Sequence, residues 1–172
     1  MGKEIVIING RPCAGKDTFV EAVKTVTCDD VINYSSIDKV KSIAKMCGWN
    51  GTKDDKSRKF LSDLKVLCDE FNDMTFNDMS EAVSRFKNDT TNLNAIMFIH
   101  IREPYNIKRA VEAFNAKTLL IRRPENDDSL CSNKSDADVF NYNYDCTVYN
   151  DGRIENLCNA ANKFLIWLNL NR

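Results

Sequence analysis

The chain has 172 residues, a formal net charge of −1, 43% hydrophobic and 28% charged residues. That length suits one globular domain, and the balanced charge provides no overall positive field to draw the chain onto nucleic acid or an anionic membrane. No apolar run nears the roughly 20 residues that cross a bilayer. The seven cysteines are scattered, with no CxxC pair, which argues against a zinc site or a disulfide framework and for reduced thiols in the cytoplasm.

The apolar stretch from Ile5 is too short for a signal peptide, and Val6 stands where a myristoylation motif wants Ser or Thr. Residues 5–9 read instead as a buried parallel strand ending at Gly10. A helix is expected over 15–26, with Phe19, Val20, Ala22, Val23 and Val26 inward, then a strand over 31–35. Residues 36–47 place Ile37, Val40, Ile43, Ala44 and Cys47 at helix spacing. Residues 54–71 read as a strongly amphipathic helix, with Phe60, Leu61, Leu64, Leu67, Cys68 and Phe71 on one face.

Another helix is expected over 75–86, a polar loop over 88–94 and a third strand over 95–101. Pro104 opens a helix over 104–114, and a fourth strand follows at 118–121. Residues 124–138 are polar and irregular. A fifth strand is expected at 144–149, a turn at Asn150-Asp151-Gly152 and a closing helix over 154–170. Strands alternating with helices give an α/β class: three layers, α/β/α, around a mainly parallel five-stranded sheet. One domain is expected over 1–172. Asn is used heavily throughout, which reads as a compositional habit.

Gly10-Arg11-Pro12-Cys13-Ala14-Gly15-Lys16-Asp17-Thr18 fits GxxxxGK followed by Asp-Thr, between a strand and a helix. Glycines there let successive backbone N–H groups turn inward on a phosphate chain, at the positive end of the following helix. Gly10, Cys13, Ala14, Gly15, Lys16, Asp17 and Thr18 are therefore the expected nucleotide-binding residues of a P-loop, with Lys16 reaching the β- and γ-phosphates. The usual motif has Ser or Thr after the lysine, on the magnesium. Here Asp17 takes that position as a hard oxygen ligand for Mg2+, and Thr18 is assigned to the α-phosphate.

With Gly15-Lys16-Asp17-Thr18 the chain resembles the phage-type deoxynucleoside monophosphate kinases and related small P-loop kinases, dephospho-coenzyme A kinase among them. The resemblance implies ATP and Mg2+ as cofactors and a small phosphorylated substrate as partner. It implies a helical acceptor-binding region at about 48–94 and a lid at about 122–140. It also implies roles for spaced single residues. Asp38 and Lys41, after the second strand, correspond to the acid and lysine at the acceptor mouth, with Asp38 accepting the proton or holding a metal-bound water. Asp38 is equally well placed as a helix-start acid that suits the dipole.

Arg58 matches an arginine that grips substrate phosphate, and equally a solvated helix face. Arg102, at the end of the third strand, matches an arginine on the acceptor phosphate. Many relatives carry an acid two residues earlier, where this chain has His100, its only histidine. Arg122 or Arg123, with help from Lys134, matches lid cations that neutralise the transferring phosphoryl group, and the pair also fits a basic strand end facing water. Gly152 matches the loop that packs on adenine.

Asn133-Lys134-Ser135-Asp136 spells NKxD, the guanine-reading sequence of GTPases, but no apolar strand precedes it. Two further readings stand beside the kinase. One is a nucleotide-binding regulatory or interaction protein without phosphotransfer, for which His100 in place of an acid is the argument. The other is a nucleic-acid-binding ATPase, which the net charge and the absence of a basic aromatic groove oppose. The sequence is compatible with a homodimer and does not set the oligomeric state or the acceptor.

Overall fold

The computed structural model describes residues 2–126 and 138–171. Five strands, β1 (Lys3–Asn9), β2 (Asp30–Ser35), β3 (Ala95–His100), β4 (Lys117–Arg122) and β5 (Cys146–Tyr149), form one sheet in the order β2-β3-β1-β4-β5. β1 runs parallel to β3 and β4, and β4 parallel to β5. The helices are α1 (Lys16–Val26), α2 (Asp38–Met46), α3 (Asp55–Asn72), α4 (Met74–Asn88), α5 (Pro104–Phe114) and α6 (Ile154–Leu170). This is the expected α/β fold, and element bounds shift by only one or two residues for most elements. The central strands are continuous apolar runs because both sheet faces are covered.

The chain divides into two compact units, one spanning Met1–Asn33 and Thr90–Arg172, the other Tyr34–Asp89. In the first, Val6 and Ile8 of β1 face α1 and α6 in one core with Ile96, Phe98, Leu119, Ile121 and Val148. Phe19, Phe98 and Phe164 meet at its centre, with Phe19 edge-on to Phe164 at 5.6 Å between ring centroids. The alternate residues Ile5 and Ile7 point to the opposite face, where α5 packs on β1 and buries Ile107, Ala110 and Phe114. Helices on both faces of a parallel sheet give the three layers.

The second unit packs α3 against α2 and α4. Asp54 caps α3 by accepting from the Ser57 amide at 2.7 Å, a bond that also holds its carboxyl below the usual range. Within the unit Tyr34 donates to Asp78 at 2.6 Å. Burial first, and then that carboxylate, push the phenol well above its ordinary pKa. The strong apolar face expected on α3 is only partly covered: Leu67 is 65% and Phe71 87% exposed, and Ser57 is the helix's buried residue. α4 carries the buried side instead, with Met79, Ala82, Val83 and Phe86. Helix spacing in the sequence sets which side chains share a face and leaves open whether a neighbour covers it.

Candidate functional site

The loop between β1 and α1 is shaped by two glycines. A Cβ on Gly10 would strike the Ile121 carbonyl oxygen, and one on Gly15 would strike the Asn150 amide. Gly15 also sits at φ 90°, the left-handed region. Cys13, at φ 60°, is left-handed without being glycine, a conformation that costs of order 1 kcal/mol. Gly15 is the N-cap of α1 and brings no side chain to its amides. The first-turn N–H groups of α1 therefore lack a side-chain cap, at the positive end of the helix dipole.

Lys16 lies over this loop, donating from Nζ to the Gly10 carbonyl at 2.7 Å and the Arg11 carbonyl at 3.0 Å. A cleft of about 420 Å3 opens beside it, lined by Cys13, Gly15, Lys16, Asp17, Thr18, Arg123, Asn150, Gly152, Arg153, Ile154 and Leu157. Three lining cations (Lys16, Arg123 and Arg153), an uncapped helix start and the apolar side chains of Ile154 and Leu157 suit a polyanion joined to a flat apolar group.

Arg123 donates to Glu125 from Nε and Nη2, at 3.3 and 3.1 Å. Its neighbour Arg122 turns elsewhere. The Arg122 guanidinium lies 5.0 Å from the Phe140 ring centroid and 6.0 Å from that of Tyr149. Arg11 stacks on the same Phe140 ring, also at 5.0 Å. Arg122 or Arg123 was expected as the lid cation, and of the two Arg123 lines the cleft. Adjacent residues in an extended segment point to opposite sides.

Asparagines hold the loop in place, and reading Asn as a compositional habit missed them. Asn9, fully buried, donates to the Arg102 carbonyl at 3.1 Å and the Tyr144 hydroxyl at 2.7 Å, while its Oδ1 accepts from the Gly10 amide at 2.8 Å. Asn150 donates to the Ala14 carbonyl at 2.9 Å and accepts from the Gly152 amide at 2.9 Å. The available signal was position, since each stands at the end of a strand bordering the loop. Tyr144, expected in the fifth strand, precedes β5 and passes its own proton to the Val139 carbonyl at 2.8 Å. Burial pushes its pKa up to about 12.

Asp17 is 83% exposed at its side chain. Its Oδ1 accepts from Asn33 Nδ2 at 3.1 Å and lies 3.6 Å from His100 Nε2. Both contacts fall on Oδ1, and among the described residues no hydrogen bond reaches Oδ2. A single hard oxygen fits Mg2+, which keeps most of its waters and takes phosphate oxygens. Among the described residues no group of three or more His, Cys, Asp or Glu makes a fuller metal cage.

Asp38, Lys41 and Arg58 belong to the other unit. Asp38 opens α2, and Lys41 bonds to it at 2.8 Å. Arg58 stands exposed near the start of α3, and Arg102 stands exposed just after β3. Lys134, the NKxD sequence and residues 127–137 of the expected lid lie outside the described residues.

No protein-family model matches the chain, and no curated protein does. Among solved structures, TT1252 from Thermus thermophilus is similar at 16% identity, with a TM-score of 0.52 over 98% of this chain and 99% of that one. A shikimate kinase from Aquifex aeolicus aligns at 14% identity and a TM-score of 0.49, over 98% and 99% of the two chains. A dephospho-CoA kinase from Campylobacter jejuni aligns at 13% identity and 0.49, over 96% and 97%. At such identities the Thermus likeness is one of fold, an α/β architecture shared along almost the whole chain.

Proposed function

We propose that this chain is an ATP-dependent phosphotransferase that moves the γ-phosphoryl group to a small phosphate-bearing acceptor, a nucleoside or deoxynucleoside monophosphate being the favoured class. The observation that carries the reading is the uncapped start of α1, with Lys16 and the Arg123-lined cleft around it. Lys16 would leave the loop carbonyls for the β- and γ-phosphates, and the amides of Gly15 to Thr18 would take phosphate oxygens. Gly152, Ile154 and Leu157 would border the base.

Asp17 would hold Mg2+, whose charge offsets that of the phosphates when bound. Arg102 would hold the acceptor's own phosphate; for Arg58, of the Tyr34–Asp89 unit, the phosphate-gripping role is proposed on the resemblance alone. Asp38, released from Lys41, would take the acceptor's proton, and Arg123, which lines the cleft, would stabilise charge on the phosphoryl group in flight. Bringing two phosphate chains together requires this many fixed cations.

The test is an ATP-consumption screen of the full chain across nucleoside monophosphates, dephospho-coenzyme A and other small phosphorylated metabolites. Turnover with one acceptor class is the expected result. Mg-ATP should also raise the melting temperature, and Lys16→Ala should remove most of that shift. A shift untouched by Lys16→Ala would place the nucleotide elsewhere. Binding without turnover on any acceptor would favour a nucleotide-binding regulatory protein, a reading supported by His100 meeting Asp17 where an acid is usual.

A further inference from the structure

We infer that Asn33 is a positioning residue for the Asp17 carboxylate, holding it in the orientation in which it meets the metal–nucleotide complex; this rests on the function proposed above. Asp17 lies on the first turn of α1 with most of its side chain in solvent. Left alone, a carboxylate there would sample several rotamers, and ordering it on ligand binding would cost affinity. It is not left alone. Asn33, from β2, donates Nδ2–H to Asp17 Oδ1 at 3.1 Å, and its own Oδ1 lies 2.6 Å from His100 Nε2 at the end of β3.

The chemistry of these three groups admits one arrangement. Turning the Asn33 amide over would set its oxygen against the Asp17 oxygen, two acceptors with no proton between them. With the amide nitrogen on Asp17, the amide oxygen must accept from His100, so the His100 ring carries a proton on Nε2. The bonds run one way: His100 Nε2–H to Asn33, then Asn33 Nδ2–H to Asp17. Each donation polarises the next group and strengthens the bond that follows.

The chain of bonds ends on Oδ1 and, among the described residues, leaves Oδ2 without a hydrogen bond. That is what a carboxylate giving a single oxygen to a metal needs from its neighbours. Asn33 itself does not line the cleft, whereas Asp17 does. Asn33 therefore acts through Asp17 rather than on the nucleotide. His100 fits the same account, as the donor that fixes the amide rather than as a base working through Nε2.

The experiment measures ATP affinity of the full chain by calorimetry, once with Mg2+ and once with EDTA, for the wild type, Asn33→Ala, Asn33→Leu and Asp17→Asn. Mn2+ replaces Mg2+ in a parallel electron-spin-resonance measurement of the metal's environment. Asn33 is exposed, so both Asn33 variants should fold with nearly unchanged melting temperatures. Each is expected to weaken ATP binding roughly 10-fold with Mg2+, to leave binding in EDTA within about twofold, and to broaden the Mn2+ spectrum.

Adding Asn33→Ala to Asp17→Asn should cost nothing further, because the two act as one unit. Equal losses with and without metal, additive losses in the double variant, or no loss at all would overturn the inference and leave the phosphotransferase reading standing. A wild-type chain that binds no ATP would overturn both.

Discussion

The loop between β1 and α1 and the helical unit of Tyr34–Asp89 are built to different standards. Around the loop, buried asparagines use both ends of their amides, and two glycines sit where any side chain would collide with a carbonyl or an amide. In the helical unit, an 18-residue helix leaves Leu67 and Phe71 largely in water. The loop's shape is tied to named amide bonds and close approaches, whereas α3 has a face that many neighbours could cover. Misplacing a polar group at the loop leaves a buried donor or acceptor unpaired, which costs far more than a partly wetted apolar side chain.

Substitutions in the two regions should separate by size. The largest expected effect is at Gly15. A left-handed backbone and a Cβ driven into Asn150 should make Gly15→Ala cost roughly 2–4 kcal/mol, read by denaturant unfolding, with loss of ATP binding. A cost under half a kcal/mol would show that the loop tolerates more than one shape. Next comes Asn150→Ala, which strips the Ala14 carbonyl and the Gly152 amide of their partner. The expected cost is about 1–3 kcal/mol, and ATP affinity should fall with it.

Tyr144→Phe should be milder, about 1 kcal/mol at neutral pH for the bond to Val139, and its signature is at high pH. Burial raises the folded-state pKa of Tyr144 to about 12 from an ordinary 10.0. The fold thus favours the neutral phenol, and its contribution is complete below pH 10 and lost as pH rises from 10 towards 12. The phenylalanine variant should lose less stability than the wild type across that window, and parallel profiles would contradict the assignment. The smallest effect should come from the helical unit: Leu67→Lys and Phe71→Lys should each change stability by no more than about 0.5 kcal/mol. A cost above 2 kcal/mol at Phe71 would erase the contrast between the regions.

The same contrast explains what could be read in advance. Strand and helix identities around the sheet followed from apolar runs and helix spacing, because both faces of the central strands β1, β3 and β4 are buried and the pattern has little freedom. Gly10, Gly15 and Lys16 were legible because their spacing encodes backbone shape directly. Asn9, Asn33 and Asn150 were not, since an asparagine's value lies in which distant groups its amide meets, and Asn150 reaches Ala14 across 136 residues. The choice between Arg122 and Arg123 was open in the sequence, and the extended backbone, which sends the two side chains apart, is what separates them. Coverage of α3 was illegible for a related reason: periodicity describes one helix, and burial needs two.

The resting place of Lys16 has a consequence for selectivity. Its ammonium already holds two carbonyl oxygens, at 2.7 and 3.0 Å, so a ligand does not meet a vacant cation. It must outbid two intact bonds, making arrival a replacement reaction. A neutral metabolite or a lone weak acceptor offers no better bargain than the loop's own oxygens. Charged phosphate oxygens form hydrogen bonds roughly twice as strong as neutral ones, and a chain of phosphates presents several at once. Under the function proposed above, the loop's carbonyls would act as a threshold, screening abundant small solutes away from the lysine and yielding to polyphosphates.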